Sequence, residues 1–546
     1  MKSSALSQQR RKEMMMNGPI PQVIVRMAIP TIVAFLINSI YSLADTYFVS
    51  SLGTNATAAV SVNASLDQLI MMAGSMLAVG ANSYIARLLG QNQEKKASQV
   101  LSTAFFLAMG LGTALMVVGL TFMTPMVRLL GATPTCEQYS VDYATYVLCA
   151  APFMAANFVM NQCLRSEGSA TLSMVGMGFG GILNCVLDPI FIFGLDMGVA
   201  GASLATAISK LVSFAILIFP YLTRHSLLHL SIRNFHCSWE ILKEIVSVGS
   251  SSMFRSGLAV VSAIVLNSIA GQISDSVLAA VGVCNKVMMF PFGIILGFAQ
   301  GFQPVAGFNW GAKRYDRVEQ SYRFSARVAL WGAVVMGAAL ALFSDVLIQV
   351  FAGQDEQMRH VGMICMISQS IALPIHAWVA IVNMLCAGLG HAKGAVVLAT
   401  ARQGTCFLPI VFPMAWLLGA YGVVTVQAVA DVLSLVLAVP ILVNMRRLIA
   451  KTAAENAAPI AEGKQDAGPS DWEGPAFLRV WEKVRPSAPQ QLRPRRRWSP
   501  DYPWPGDHGQ PNRAAGCCRG RTFECRPRCG PDRCLRGCTG ERWFFR

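Results

Sequence analysis

Charge is scarce in this chain. Only 13% of its 546 residues are Asp, Glu, Lys or Arg, against about 25% in a soluble domain. An ordinary water-facing surface is therefore excluded over most of its length. Histidine is rarer still, at 7 residues. No phosphate-binding Gly-rich loop ending in Gly-Lys-Ser/Thr is present, which argues against ATP-driven work by this chain alone. No His-Glu-x-x-His pair and no Gly-x-Ser-x-Gly elbow occur, so the usual metalloprotease and α/β-hydrolase machinery is missing. No Cys-x-x-Cys pair occurs among the 15 cysteines, which leaves no zinc-ribbon spacing.

Hydrophobic residues fill the space that charge leaves, at 54%. About 12 apolar runs reach the roughly 20 residues that cross a bilayer. They fall near 24–48, 58–84, 99–124, 141–163, 169–194, 199–222, 245–271, 277–305, 322–344, 361–388, 393–418 and 421–444. The first run follows a basic arm but lacks a small-residue cleavage site and is too long for a leader's apolar core. It reads as the first span.

Basic residues set the orientation. Lys2, Arg10, Arg11 and Lys12 precede the first span. Alternate loops carry Arg87, Lys95 and Lys96, then Arg165, then Arg224, Arg233 and Lys243, then Lys313, Arg314 and Arg317, then Lys393 and Arg402. Arg446, Arg447 and Lys451 follow the last span. The opposite loops hold Arg128 and Arg359 as the clear cases. Both ends of the bundle are thus expected in the cytoplasm, with the chain in the plasma membrane. The net charge of +15 reflects that topology more than nucleic-acid binding.

The chain also repeats itself. Pro152 and Gly168 recur as Pro374 and Gly390; Gly198-x-x-Gly201 recurs as Gly419-x-x-Gly422; Gly90 with a polar run after it recurs as Gly311. The offset is about 221 residues each time. The expected organisation is an arm (1–22), a first lobe of six spans (23–222), a connector with an interfacial helix (223–244), a second lobe of six spans (245–447) and a tail (448–546). Six is even, so the lobes enter the membrane the same way up. A pseudo-two-fold axis along the membrane normal should relate them in an all-α polytopic fold. The tail holds 12 of 26 prolines and 6 of 15 cysteines with no helical or strand period, and reads as a disordered appendage. Its Cys517, Cys518, Cys525, Cys529, Cys534 and Cys538, with His508 as the one nearby histidine, have poor spacing for zinc.

A transporter without a nucleotide site needs an ion gradient, and so needs ionisable or ion-binding groups inside the membrane. Asp45 lies near the end of the first run, after Pro30. Asp188 lies deep in the fifth, in Asn184-Cys185-Val186-Leu187-Asp188-Pro189. Carboxylates in hydrocarbon face a bundle interior or a wet cavity. Such a pair can exchange a proton, or with Asn184 and Thr206 supply oxygens to Na⁺. Asp67 is either a third member or a cavity wall. Pro30 can bend its helix by removing a hydrogen bond. Asn38, Tyr41, Met288, Gln303 and Trp378 are candidates for a substrate cavity. Arg255, Lys286 and Asp431 form a candidate charge network in the second half, with Arg255 or Lys286 pairing Asp431. Lys210 is also intramembrane.

Pro30 with Asn38 and Asp45, Asn184-x-x-x-Asp188-Pro189-x-Phe191-x-Phe193, and Gly198-x-x-Gly201-Ala202 with Thr206 resemble the first half of multidrug and toxic compound extrusion (MATE) transporters. Phe302-Gln303-Pro304-Val305-Ala306-Gly307-x-Asn309-x-Gly311-Ala312-Lys313 resembles the family's eighth-span signature. Arg402-Gln403 with Pro409, Gly422 and Asp431 resembles its last two spans. Arg255 with Asn285-Lys286 is similar to the bacterial MepA-like subgroup. The resemblance covers about 18–447. It implies two six-helix lobes about a central cavity, and a monomer that exports organic cations and drugs in exchange for H⁺ or Na⁺ with no cofactor. It places Pro30, Asp45, Asn184, Asp188 and Thr206 on the first-lobe cation motif. A lipid-linked saccharide flippase would share the lobed architecture but needs a strongly cationic cavity. A polytopic membrane enzyme would have to draw on His225, His229 and His236, whose spacing suits one helical face.

Overall fold

The structure, a computed structural model, describes residues 2–457 apart from positions 135, 224, 353 and 354. All regular structure among these residues is helical. Twelve helices are long and apolar enough to cross a bilayer. The tail from 458 onward, with its six cysteines and His508, lies outside the described residues.

The N-terminal arm is not irregular: Lys2–Asn17 forms α1. The first-half spans are α2 (Ile20–Ser50), α3 (Thr54–Gly90), α4 (Glu94–Thr121), α6 (Glu137–Ser166), α7 (Ala170–Pro189) and α8 (Gly198–Leu222). A short α5 (Met123–Leu129) precedes α6, and α7 runs on as a π turn over Ile190–Gly194. The second-half spans are α9 (Trp239–Ile273), α10 (Asp275–Gly311), α11 (Tyr315–Leu342), α13 (Glu356–Leu389), the composite α14 (Ala392–Thr400) and α15 (Phe407–Leu418), and α16 (Ala420–Ala457). A short α12 (Ser344–Ala352) precedes α13, and a π turn over Ala401–Thr405 joins α14 to α15.

Two boundaries differ from expectation. The connector holds no interfacial helix: beyond Thr223 it contains one 3₁₀ turn, Ile232–Asn234, and Trp239 opens α9 with Ser238 as its cap. Ser and Asn side chains bonded to nearby backbone compete with helix there. At the other end, α16 passes 447 and reaches Ala457, because the Ala- and Glu-containing run after Lys451 favours helix even where water replaces lipid.

The repeat is written into the elements. Pairs α3/α10 and α4/α11 start and end at an offset of 221 residues, and α5 and α12 start at that offset. Gly168 and Gly390 both turn the chain through the left-handed region, at φ 77° and 82°. Each short helix is held by one arginine, Arg128 to Glu137 and Arg359 to Asp345, both at 2.8 Å. Large apolar side chains such as Trp331, Leu342 and Trp416 stand exposed on the outside, as a lipid-facing surface requires.

The halves meet at the arginine-rich end. A Cβ on Gly90 would strike the Phe308 carbonyl, and one on Gly311 the Arg87 carbonyl, so two helix ends touch backbone to backbone. The same holds for Gly80 against Ile245 and Gly249 against Met76. Small residues allow that approach, which dispersion then stabilises where lipid supplies no hydrophobic drive between helices. Around these contacts Arg87 pairs with Glu244 at 2.7 Å, Ser83 donates to the Ala387 carbonyl, and Arg317 donates to the Gly18 carbonyl at 2.7 Å.

Candidate functional site

Beyond this seam the halves enclose a cavity of about 660 Å³. Its walls come from α2, α3, α6 and α8 on one side and from α9, α10, α13, α14 and α16 on the other. Asn38 and Tyr41 line it, as expected.

The acidic cluster of the first half forms behind that wall. Asp188 is fully buried on α7, where the helix passes into its π turn. Asn184, one turn earlier, donates from Nδ2 to Asp188 Oδ1 and to Thr206 Oγ1 of α8, each at 3.2 Å. One amide thus ties two helices to one carboxylate. Asp45 lies within electrostatic reach of both Asp188 and Asp67. Asp67 lines the cavity. Lys210 acts on Asp45 and Asp67, donates to the Tyr41 hydroxyl at 3.4 Å and sits 4.9 Å from that ring's centre. Four oxygens in this cluster are buried with no hydrogen-bond partner among the described residues: Asp45 Oδ1, Asp67 Oδ1, Asp188 Oδ2 and Asn184 Oδ1. Unpartnered oxygens in a low-dielectric interior are costly unless a proton or cation meets them.

Pro30 lies inside α2, which continues unbroken through it. Its missing N–H removes one ladder bond, and the Thr31 hydroxyl donates to the Met27 carbonyl at 2.9 Å just beside the gap.

The second half carries a different charge set. Arg402 Nε donates to Asp431 Oδ1 at 2.8 Å, and the guanidinium lies 4.3 Å from the Phe292 ring centre. His376 stands 3.9 Å from the same carboxylate. This corrects the expected network: Asp431 pairs with Arg402, not with Arg255 or Lys286. Lys286 is exposed on α10 and turned away from the pair. Arg402 itself belongs to the π turn inside a span rather than to a loop. Arg165, also assigned to a loop, is 1% exposed and lines the cavity floor, donating to Gln300 of the other half at 2.5 Å and to Ser173 at 3.0 Å.

Three cavity candidates are corrected as well. Met288 is fully buried in the apolar core between α10, α13 and the last spans. Gln303 is 1% exposed where α10 packs closely on α13 through Gly388. Trp378 packs against the core cluster rather than the cavity. In each case the helix's rotation turns the residue into a helix–helix seam. The connector histidines share no helical face, since no helix forms there. Among the described residues, no three His, Cys, Asp or Glu side chains converge to hold a metal ion.

The MatE family profile matches residues 30–190 and 252–417, covering both halves and most of the elements that build the cavity. The chain belongs to the MATE family. It is 27% identical over 433 residues to the multidrug export protein MepA of Staphylococcus aureus (strain MSSA476), a match covering 79% of this chain and 95% of that protein. A crystal structure of a MATE transporter in complex with MaL6 superposes with a TM-score of 0.76 at 25% identity, covering 80% of this chain and 98% of that one. An outward-facing MATE multidrug resistance transporter gives 0.75 at 25% identity over the same shares.

As a MATE transporter, the chain has a cavity whose two walls differ in sign. Sequence reading found the carboxylates of the first half because aspartate inside an apolar run stands out. It missed Arg402 and Arg165 because both sit near run ends and were counted as loops. The repeat carried the missing signal: stepping Arg402 back by 221 lands on Gly181, well inside α7.

Proposed function

We propose that this MATE transporter exports organic, mostly cationic compounds across the plasma membrane in exchange for H⁺ or Na⁺, as a monomer with both termini in the cytoplasm. The observation that carries the reading is the set of four buried, unpartnered oxygens on Asp45, Asp67, Asp188 and Asn184. A proton or Na⁺ entering this set neutralises the carboxylates and relieves their mutual repulsion. Thr206 and Asn184 complete an oxygen-rich environment that suits either ion.

Coupling requires that the ion and the exported compound favour different states. The acidic wall attracts a cation while its carboxylates are charged, and loses that attraction once an ion neutralises them. The helix beside this wall is α2, weakened at Pro30. Neutralisation of Asp45, on the same helix, lets α2 repack there and drives release. By linkage, bound substrate disfavours the ion to the same degree. The seam at Gly90 and Gly311 would then open on the cytoplasmic side in the return half of the cycle.

Asp188→Asn is the test. In proteoliposomes with an imposed pH or Na⁺ gradient, this variant is expected to lose gradient-driven dye export while its melting temperature and membrane insertion stay within a few degrees of the parent. Export at the parental rate removes Asp188 from the coupling site.

A further inference from the structure

The charges on the cavity wall do not balance locally, and one cation is left over. Lys210 faces Asp45 and Asp67. Arg402 is held by Asp431. Arg165 lies under the floor in bonds to Gln300 and Ser173. Arg255, in the middle of α9 and on the cavity wall, makes a single hydrogen bond, 3.2 Å to Ser252 Oγ one turn earlier on its own helix. No carboxylate lies within ion-pair distance of it among the described residues.

A guanidinium at membrane depth without a counter-charge is expensive, and such residues usually line substrate paths. Its planar fork matches a carboxylate, two N–H groups against two oxygens. Ser252 and Ser256 stand beside it on the wall, and His376 is close enough to feel both Arg255 and Arg402. Opposite, the first-half wall has an excess of carboxylate. The cavity is therefore bipolar: acidic on the side of α2, α3 and α7, basic on the side of α9.

Resting on the export reading above, we propose that Arg255 is the anchoring site for an anionic group of the exported compound, so that this chain carries amphoteric molecules. Such a substrate has an apolar body, an amine or other cation and a carboxylate. Its cationic end faces Asp67 and its carboxylate lies on Arg255. The carboxylate supplies the counter-charge that the fold withholds. A purely cationic compound fills only the acidic half of the site.

A matched pair of dyes isolates the carboxylate. Rhodamine 110 carries a free carboxylic acid, and rhodamine 123 is its methyl ester on the same cationic ring system. Fluorescence polarisation with the purified full-length chain in detergent gives the Kd of each, for the parent, Arg255→Gln and Arg255→Lys. The expected result is an acid Kd raised about tenfold by R255Q and by a smaller factor in R255K, which keeps the charge and loses the fork. The ester Kd should change less than twofold, which also shows that the cavity survives the substitution. An unchanged acid Kd, equal losses for both dyes, or a parent that binds the ester alone overturns the role of Arg255 and leaves the export reading standing. A parent that neither binds nor exports either dye overturns both. If R255Q does not fold, R255K decides: a weakened acid with an unchanged ester supports the proposal, and equal acid Kd values overturn it.

Discussion

Lys210 and Asp431 occupy the same place in the two halves with opposite charge. Each stands twelve residues beyond a left-handed glycine, Gly198 or Gly419, both at φ 55°. Each lines the cavity. Around Lys210 gather carboxylates, and around Asp431 gather Arg402 and His376. The duplication preserved the scaffold and inverted the polarity of the wall. One position thus tunes each half: a lysine moderates an acidic cluster, and an aspartate moderates a basic one.

The Arg402–Asp431 pair should behave as a unit. Its partners are 15% and 5% exposed, so removing one leaves an uncompensated buried charge, which costs about 3–5 kcal/mol in such settings. Arg402→Gln and Asp431→Asn should each lower thermal stability in detergent markedly. The double variant should recover much of the loss. Additive losses in a double-mutant cycle would show that the pair is not coupled.

Glu167 should make stability depend on pH. It lies outside the spans, between α6 and α7, and is 2% exposed. One oxygen accepts from Ser226 Oγ at 2.5 Å and Leu227 N at 2.8 Å, and the other has no partner among the described residues. Burial pushes its carboxyl up from 4.5 to about 7, with those donors and nearby Arg11 pulling the other way. An acid whose folded value is raised stabilises the fold at low pH, and that contribution is lost as pH rises from about 4.5 through about 7. The change is on the order of 2–3 kcal/mol. Melting temperature in detergent should fall across this window in the parent. Glu167→Gln, which keeps an acceptor and carries no charge, should flatten that segment; an unaltered slope would rule Glu167 out.

Gly311→Val should part the halves at the arginine-rich end. The added Cβ would meet the Arg87 backbone, which cannot yield as a flexible side chain would. Native Cys386 reports on this directly, since it is fully buried beside the Ser83–Ala387 contact. Its alkylation, followed by peptide mass spectrometry, should rise several-fold in the variant. Alkylation at the parental rate would show that the seam tolerates the extra bulk.

The fold was legible because its signals are local or periodic. Span number follows from run length, and the duplication follows from glycines and prolines whose backbone needs survive divergence. The buried carboxylates were legible because hydrocarbon makes them conspicuous. Legibility failed for Arg402, Arg165 and Lys286 alike. The first two lie near the ends of apolar runs, where sequence cannot separate loop from membrane. Lys286 lies mid-run yet faces outward.

By itself, then, the sequence determined twelve spans in two related halves, and carboxylates at membrane depth in the first. Tertiary structure alone decided which charges share a cavity: Asp431 with Arg402, Asn184 with Thr206, and Arg255 with none. It also sent Met288, Gln303 and Trp378 into seams. The reason is that a helix apolar on every face carries no moment to show its rotation. In lipid that rotation is set by close packing of small residues such as Gly90, Gly249 and Gly311 against a neighbour's backbone, a contact visible only when both helices are in place.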